Sequence, residues 1–241
     1  MTELKKKAIR DWTKAYESSI EKLWPSETLV RLFNGEYIPN LDKSFEGRKL
    51  LEVGCGTCNN FNFYASLGLK IYGTEISRDI AKLMESRLRS RTYQATIKVG
   101  FNKKLPFEND AFDYLVSWNV IHYEDNERDM ERAIAEYARV LKPGGRLFLS
   151  TTGPQHMILR DSKLLGCHRY QIGRSDDFRR GQVYFYFDSP QYIAFYFSKH
   201  FENVLVGRVN DFLFTAYQDY FIVTATRRCR EKRLSDDGSK S

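Results

Sequence analysis

The chain has 241 residues and a formal net charge of +7, and its 42% hydrophobic and 15% aromatic content suffices for one domain with a sizeable core. No apolar run approaches the roughly 20 residues of a membrane-spanning helix, and no apolar segment follows the charged residues near Met1. We therefore expect neither a membrane span nor a secretory signal, and predict a cytoplasmic protein.

The positive charge lies mostly at the two ends of the chain. Residues 1–10 and 227–241 each carry a net charge of +3, which leaves about +1 for residues 11–226. The 227–241 segment is predicted to be a flexible basic tail. Because a nucleic-acid groove on a folded domain requires basic side chains on the domain itself, this distribution weakens the case for a nucleic-acid partner without excluding it.

Apolar runs, turns and helical patterns alternate along most of the chain, which is typical of βα units and a mostly parallel sheet. Ser77 and Asp188 are predicted to cap the helices that follow them. The predicted strands are Lys49–Val53, Lys70–Thr74, Ala95–Val99, Phe112–Ser117 and Arg146–Ser150, with Val204–Val209 and Tyr220–Thr226 as a closing pair. The predicted helices between them are Thr57–Leu67, Arg78–Ser90, Asp125–Leu141 and Ser189–His200.

Two segments do not follow this alternation, and both are candidates for covering a site. One contains helical patterns around Trp12–Trp24 and Ser26–Phe33, and the other is an irregular insertion. We predict a single domain over residues 1–226. Its predicted parts are a helical cap (1–45), a cofactor-binding core (46–152), the insertion over the acceptor site (153–187) and a C-terminal helix with strands (188–226).

A glycine loop follows the first predicted strand, in the run Leu50-Leu-Glu-Val-Gly-Cys-Gly-Thr-Cys-Asn-Asn60. Glycine allows a ligand to approach the backbone closely, and the helix that follows offers unpaired N–H groups. Glu75 lies 21 residues after Gly54, at the end of the second predicted strand, where a carboxylate can accept both hydrogen bonds of a ribose diol. These features predict a site for an adenine-nucleoside cofactor.

The same loop favours S-adenosylmethionine over a dinucleotide. The dinucleotide fingerprint G-x-G-x-x-G has a third glycine, which this sequence lacks after Gly54 and Gly56. Glu52, two residues before Gly54, suits a cofactor that has an ammonium group and no phosphate. Cys55 and Cys58 form a C-x-x-C pair, but no second pair completes a zinc site, so we predict no metal and reduced thiols.

Four motifs occur in order along the chain: Glu52-Val-Gly-Cys-Gly-Thr, Tyr72-Gly-Thr-Glu-Ile-Ser77, Leu105-Pro-Phe-Glu-Asn-Asp-Ala-Phe-Asp-Tyr-Leu-Val-Ser117 and Ala138-Arg-Val-Leu-Lys-Pro-Gly-Gly-Arg146. Together they resemble the motifs of class I S-adenosylmethionine-dependent methyltransferases of the small stand-alone type, closely over roughly residues 48–152. The resemblance implies an α/β fold with a doubly wound, mostly parallel seven-stranded sheet of the Rossmann-like type. It also implies an enzyme with S-adenosylmethionine as cofactor and S-adenosylhomocysteine as product.

The resemblance implies roles for residues at the ends of the predicted strands. Glu52 and the backbone of the glycine loop would hold the methionine end of the cofactor, and Glu75 would hold the ribose hydroxyls. Asn119, at the end of the fourth strand, would lie near the sulfonium and the acceptor. The other residues assigned to the cofactor are Gly54, Cys55, Gly56 and Ile76, the last against the adenine.

Two departures from the family's pattern concern the cofactor. Cys58 stands where the family often has a third glycine. After the third strand, where the family usually has an acid that binds the adenine amino group, this chain has Gly100-Phe101-Asn102. Asn102 can offer its side-chain carbonyl oxygen to that amino group, and Phe101 can stack on the ring, so both are included among the cofactor-binding residues.

Candidates for catalysis and acceptor binding follow the fourth strand and lie in the two covering segments. His122 is the candidate general base, and its alternative role is to pack the loop in which it lies. A base is needed only if the acceptor atom belongs to a hydroxyl or a protonated amine. Tyr123 could orient the acceptor. The insertion carries a local net charge of +3, which suits phosphate or carboxylate groups unless it is simply a solvated loop. The candidate acceptor-binding residues are Trp12, Tyr16, His156, Arg179 and Tyr184, with core packing as the alternative for the aromatic ones.

We therefore predict a methyltransferase that acts on an O or N atom of a small or medium-sized acceptor, such as a sugar or a phosphorylated metabolite. The first alternative is an RNA (tRNA) methyltransferase that uses the basic ends of the chain. The second is a non-catalytic S-adenosylmethionine-binding protein, because Cys58 and Phe101 depart from the family's pattern.

Overall fold

Hydrophobic runs form the strands of this protein, and short polar turns separate them from the helices. The computed structural model describes residues 3–18 and 24–229. The helices are α1 (Glu3–Glu17), α2 (Glu27–Asn34), α3 (Phe61–Ser66), α4 (Arg78–Leu88), α5 (Glu127–Val140) and α6 (Pro190–Phe197). The strands are β1 (Lys49–Val53), β2 (Lys70–Glu75), β3 (Ala95–Val99), β4 (Phe112–Trp118), β5 (Leu141–Thr152), β6 (Lys163–Gly166), β7 (Arg169–Gln171), β8 (Val183–Phe185), β9 (Phe201–Leu213) and β10 (Ala216–Arg227). Within these ranges, no helix combines the length and the apolarity needed to cross a membrane.

Seven strands form one sheet in the order β3-β2-β1-β4-β5-β10-β9. The first five run parallel, and β10 and β9 add an antiparallel pair, which confirms the mostly parallel seven-stranded sheet. Leu50 and Leu51 belong to different hydrophobic clusters, because successive strand residues point to opposite faces. Helices α3 and α4 pack in one cluster and α5 and α6 in the other, so the sheet is covered on both faces. The strand order reverses between β1 and β4, and a ligand site is expected outside their carboxyl ends.

Capping side chains set the beginning of several helices. The Ser77 hydroxyl accepts a hydrogen bond from the Ile80 N–H, as predicted. The cap predicted at Asp188 is wrong: Ser189 accepts the Tyr192 N–H at 3.2 Å, and Pro190 occupies the first helical position, which suits the fixed φ of proline.

Other boundaries differ from the predicted ones for local reasons. Helix α3 begins at Phe61 instead of Thr57, because the preceding residues are taken up by the turn of the glycine loop. Strand β5 begins at Leu141, which pairs with Phe112, so the Pro-Gly-Gly run lies inside the strand instead of before it. Helix α1 begins and ends earlier than the Trp12–Trp24 pattern, whose residues 19–23 lie outside the described residues, as do residues 230–241 of the predicted tail.

The insertion is not irregular. Its strands β6, β7 and β8 form a separate antiparallel sheet, in which Tyr170 pairs with Tyr184. Ile158, Ile172 and Tyr184 form a small buried cluster of their own. Strand formation satisfies the backbone N–H and C=O groups of this segment, which explains how it can hold side chains in fixed positions above the main sheet.

A buried carboxylate joins the start of the insertion to the β9–β10 hairpin. Asp219 is fully buried and accepts two hydrogen bonds from Arg208, at 2.7 and 2.9 Å, and one from the Gln155 N–H at 2.8 Å. Gly153 lies against it, since a Cβ atom there would come within 2.5 Å of the carboxylate. This contact fixes the direction in which the chain leaves β5.

Replacing Asp219 with alanine should lower the free energy of unfolding by about 2 kcal/mol, because the hydrogen bonds from Arg208 and from the Gln155 N–H to a buried carboxylate are lost. Urea denaturation measures the effect. Asp211→Ala, at an exposed position of the same hairpin, is the control and should change stability little. Equal losses in the two variants would contradict the anchoring role of Asp219.

Candidate functional site

A cavity of about 700 Å³ lies at the carboxyl ends of β1, β2 and β4, between α1 and the insertion. This volume is within the range of small-molecule sites, which is roughly 300–1,000 Å³. All residues predicted for the cofactor, for catalysis or for the acceptor line this one cavity, although their individual roles stay predictions. They are Trp12, Tyr16, Glu52, Gly54, Cys55, Gly56, Glu75, Ile76, Phe101, Asn102, Asn119, His122, Tyr123, His156, Arg179 and Tyr184.

The glycine loop brings backbone to the wall of the cavity. Gly54 and Gly56 have φ angles of +62° and +56°, which glycine adopts without strain. A Cβ atom at Gly54 would lie 2.9 Å from the Val120 side chain, and one at Gly56 would lie 3.1 Å from the Tyr16 hydroxyl. Both glycines are therefore required by their backbone conformation and by the space around them.

Glu75 ends β2 and is buried beside this loop. Its Oε1 accepts the Gly56 N–H at 2.6 Å, and its Oε2 accepts the Ile76 N–H at 3.2 Å. Burial raises the pKa of Glu75 to about 7, in spite of these two hydrogen bonds. Each carboxylate oxygen keeps a second lone pair, so the group can still accept two hydrogen bonds from a pair of neighbouring hydroxyls.

Glu52 occupies the equivalent place near the end of β1. It is buried, and its Oε1 accepts a hydrogen bond from the Asn60 amide at 2.7 Å, whereas its Oε2 has no hydrogen-bond partner among the described residues. Burial raises the pKa of Glu52 to about 8, and the Glu75 carboxylate adds to this increase. A buried acid with one unsatisfied oxygen is suited to a cationic ligand, which would restore its ionised form.

The Asn102 side chain, which is predicted to contact the adenine, already has hydrogen-bond partners at both its oxygen and its nitrogen. Its side-chain oxygen accepts the Tyr137 hydroxyl at 2.9 Å, and its amide nitrogen donates to the Glu124 carboxylate at 3.1 Å. Binding of an adenine amino group by Asn102 would therefore have to use the second lone pair of that oxygen. Phe101 is 39% exposed, which leaves its ring available for stacking. Sequence reasoning missed Glu124, whose role depends on a contact across 22 residues that no local pattern indicates.

His122 lies in the 3-10 turn after β4, packed between aromatic rings. Its ring centroid is 4.6 Å from that of Tyr123 and 4.7 Å from that of Tyr184. The N–H and the hydroxyl of Thr152 both lie 3.4 Å from its Nδ1, so Thr152 can support either tautomer of the ring. Burial lowers the pKa of His122 well below its usual range, and the positive charge of Arg179 acts in the same direction. The ring is therefore neutral at pH 7.

A chain of hydrogen bonds runs from the insertion to the same turn. Asp177 holds Arg179 through two bonds, at 2.7 and 2.6 Å, and Arg179 donates to the Tyr184 hydroxyl at 3.3 Å. Tyr184 in turn donates to the Tyr123 hydroxyl at 2.7 Å. Because Tyr123 accepts at its oxygen, its own hydrogen is available to a group in the cavity. Sequence reasoning found Arg179 but missed Asp177, which neutralises it.

Helix α1 closes the cavity by contacting both sides of it. The Trp12 ring lies edge-on to Phe178 at 4.8 Å and to Tyr123 at 5.5 Å. Lys5 pairs with Asp125 at 2.9 Å. The helical pattern in a segment outside the βα alternation predicted a cover, but its partners Phe178 and Asp125 could be recognised only once the fold brought them together.

Comparisons with known proteins agree with this arrangement. Residues 51–149 match the family model described as a methyltransferase domain, which covers the strand ends that carry Glu52, Glu75 and Asn119. The chain carries a class I S-adenosylmethionine-dependent methyltransferase domain. S-adenosylmethionine is the cofactor of this class. The residues present fit this cofactor: Glu75 keeps lone pairs that could accept the two ribose hydroxyls, and the unsatisfied oxygen of Glu52 could accept the ammonium.

Curated relatives are similar to this chain over slightly more than half of its length. An uncharacterized methyltransferase from Anoxybacillus flavithermus is 29% identical over 145 residues, which are 60% of this chain and 65% of the relative. A probable tRNA methyltransferase 9B from Homo sapiens is 31% identical over 58% of this chain and 27% of the relative. A demethylmenaquinone methyltransferase from Anoxybacillus flavithermus is 30% identical over 54% of this chain and 52% of the relative. The matches thus span less than two thirds of the length of these relatives.

Solved structures share the fold of this chain. A S-adenosylmethionine-dependent methyltransferase from Methanosarcina mazei superposes with a TM-score of 0.65 at 19% identity, covering 86% of this chain and 99% of that chain. A protein from Pyrococcus horikoshii has a TM-score of 0.60 at 20% identity, covering 88% and 91%. At these identities the similarity concerns the fold alone.

Replacing Glu75 with alanine should weaken binding of S-adenosylmethionine by about 2 kcal/mol or more, because charge-assisted hydrogen bonds to the ribose are lost. Calorimetry measures the affinity. Glu85→Ala, on the exposed face of α4, is the matched control and should bind like the wild type. Wild-type affinity in Glu75→Ala would remove Glu75 from the ribose role.

The affinity for S-adenosylhomocysteine should increase between about pH 6 and pH 8. Without ligand, Glu52 is protonated below a pKa of about 8, and the ammonium of the ligand favours its ionised form, so binding releases a proton. Calorimetry in buffers of different ionisation enthalpy counts that proton. Glu52→Gln cannot titrate and should show a smaller increase; an identical pH dependence in the two proteins would exclude the ammonium role.

Proposed function

We propose that this chain transfers the methyl group of S-adenosylmethionine to an O or N atom of a small or medium-sized acceptor, and that a neutral sugar is the acceptor class that the site favours. The observation that carries the proposal is the cavity that brings the predicted site residues together. Its inner part has the two buried carboxylates Glu52 and Glu75, and its outer part lies between α1 and the insertion. An acceptor must therefore fit beneath these two segments, which favours a small molecule over a polymer.

The outer part of the cavity is aromatic and nearly neutral. Trp12, Tyr123, Phe178 and Tyr184 present flat surfaces to it. Among the described lining residues, each cation has a carboxylate partner: Lys5 pairs with Asp125, Lys103 with Asp129 and Arg179 with Asp177. Because these charges are already neutralised, the cavity favours a sugar over a phosphorylated metabolite.

The main task of the protein in this reaction is to align the acceptor atom with the methyl group of the cofactor. The cofactor supplies a methyl group on a sulfonium, which makes it transferable to a nucleophile in line with the bond that breaks. Tyr123 donates its hydrogen to the acceptor oxygen and so positions it. For a hydroxyl acceptor, His122 takes the proton at Nε2, which requires the tautomer with its hydrogen on Nδ1; the Thr152 hydroxyl then accepts that hydrogen and replaces the bond from the Thr152 N–H to Nδ1. The rings of Tyr123 and Tyr184 pack against His122 and keep its ring buried.

An acceptor screen tests the proposal. The protein is incubated with methyl-labelled S-adenosylmethionine and separate pools of neutral glycosides, sugar phosphates and bulk tRNA. We expect label in the glycoside pool. Label in tRNA alone would contradict the proposal, and binding of S-adenosylhomocysteine without transfer to any pool would favour a non-catalytic binding protein.

The tRNA alternative rests on the human relative and on the basic segment 227–241. Transfer to RNA would weaken steeply with salt, because each phosphate contact releases counterions. Removal of residues 230–241 discriminates the two functions. Turnover on a small acceptor should survive this truncation, whereas turnover on tRNA should fall.

Replacing His122 with alanine should lower kcat by about 10²-fold or more with little change in cofactor affinity, if the acceptor is a hydroxyl. Because the pKa of His122 lies well below 6.5, the acid limb of the wild-type pH–rate profile should lie below that value. His200→Ala, at an exposed position outside the cavity lining, is the control. An unchanged rate in His122→Ala would exclude the base role.

A further inference from the structure

Cys58 occupies a backbone conformation that disfavours it. Its φ angle is +56°, in the left-handed region that glycine adopts freely and a side chain does not. Unlike Gly54 and Gly56, which flank Cys55 in the same loop, Cys58 does not line the cavity. Contact with the cofactor therefore does not explain a cysteine at this position.

The unusual conformation places Cys58 directly against Cys55. Their Sγ atoms are 3.8 Å apart, both side chains are buried, and the Cys58 N–H donates to the Cys55 carbonyl at 2.9 Å in a tight turn. A disulfide has a sulfur–sulfur distance of about 2.05 Å, so the two sulfurs would have to approach by somewhat less than 2 Å. Both thiols are reduced in the structure.

Such an approach would disturb the cofactor loop. The Cys55 Sγ packs on β2 beside Gly73, where a Cβ atom would lie only 2.9 Å from it. Gly56 lies between the two cysteines, and its N–H makes the 2.6 Å hydrogen bond to Glu75. When the two sulfur atoms approach to bonding distance, the backbone on both sides of Gly56 has to shift. The loop then changes its position relative to the Glu75 carboxylate, which is predicted to bind the ribose.

We propose that Cys55 and Cys58 form a reversible disulfide that lowers the affinity of the loop for S-adenosylmethionine. The inference rests on the proposed function only for the identity of the cofactor. The oxidant is a low-molecular-weight disulfide: the two protein thiols form one sulfur–sulfur bond, and the sulfur–sulfur bond of the oxidant is reduced to two thiols, which receive the two protons.

Cys55 borders the cavity but its thiol is buried against β2, so the oxidant reaches the pair when the empty loop moves. The cofactor occupies the same space, so bound cofactor shields Cys55. Linkage requires the two effects to match: a ligand that prefers the reduced loop must also disfavour the disulfide by the same factor. The pair therefore responds to oxidant chiefly in the cofactor-free protein.

The test uses the full chain with Cys167 and Cys229 replaced by serine, since both are exposed and would react on their own. The protein is equilibrated with oxidised dithiothreitol, the disulfide is located by peptide mapping, and the affinity for S-adenosylhomocysteine is measured by calorimetry. We expect a Cys55–Cys58 disulfide, at least an about tenfold loss of affinity, recovery on reduction, and slower oxidation when S-adenosylhomocysteine is saturating.

Cys58→Gly is the matched variant, because glycine accepts the left-handed conformation and leaves no second thiol. Its affinity should not respond to the oxidant. The proposal is overturned if mapping finds no Cys55–Cys58 disulfide, or if the disulfide forms and the affinity stays within about twofold. Failure of the reduced protein to bind S-adenosylhomocysteine would instead contradict the proposed cofactor, whereas the mapping would still decide whether the disulfide forms.

Discussion

The hydrogen bond from the Gly56 N–H to the buried Glu75 carboxylate is the contact on which the site depends. It joins the loop after β1 to the end of β2, two neighbouring parallel strands whose carboxyl ends meet at one edge of the sheet. A carboxylate buried in this way is expensive to ionise, and the pKa of Glu75 is raised to about 7 as a result. Glu52 is also buried, and its pKa is raised to about 8. The cofactor-free site therefore has two buried acids, and a bound ligand can offset the free-energy cost of ionising them without water.

The cover over this site comes from parts of the chain that lie far apart in sequence. Helix α1 reaches across to the insertion through Trp12 and Phe178, and the insertion is held to the sheet by the buried Asp219. The same cover brings Arg179 into the cavity already paired with Asp177. The proposed preference for a small neutral acceptor rests on this position of the cavity between α1 and the insertion and on the pairing of its charges.

Local sequence patterns predicted much of this fold, because strand periodicity, glycine turns and helix caps are local properties. The strands β1 and β3 have the predicted bounds, and every predicted site residue lines one cavity. The sheet within the insertion was missed, since its short strands have no clear alternation. The partners Asp177 and Glu124 were missed as well, because their contacts form only in the folded chain.

A crystal structure with S-adenosylhomocysteine bound tests the central claim most directly. We expect the ribose hydroxyls to lie within hydrogen-bonding distance of the Glu75 carboxylate and the ammonium to contact Glu52. The sulfur should face the aromatic part of the cavity near Asn119. A ligand seated elsewhere, or one in this cavity whose ribose makes no contact with Glu75, would contradict it.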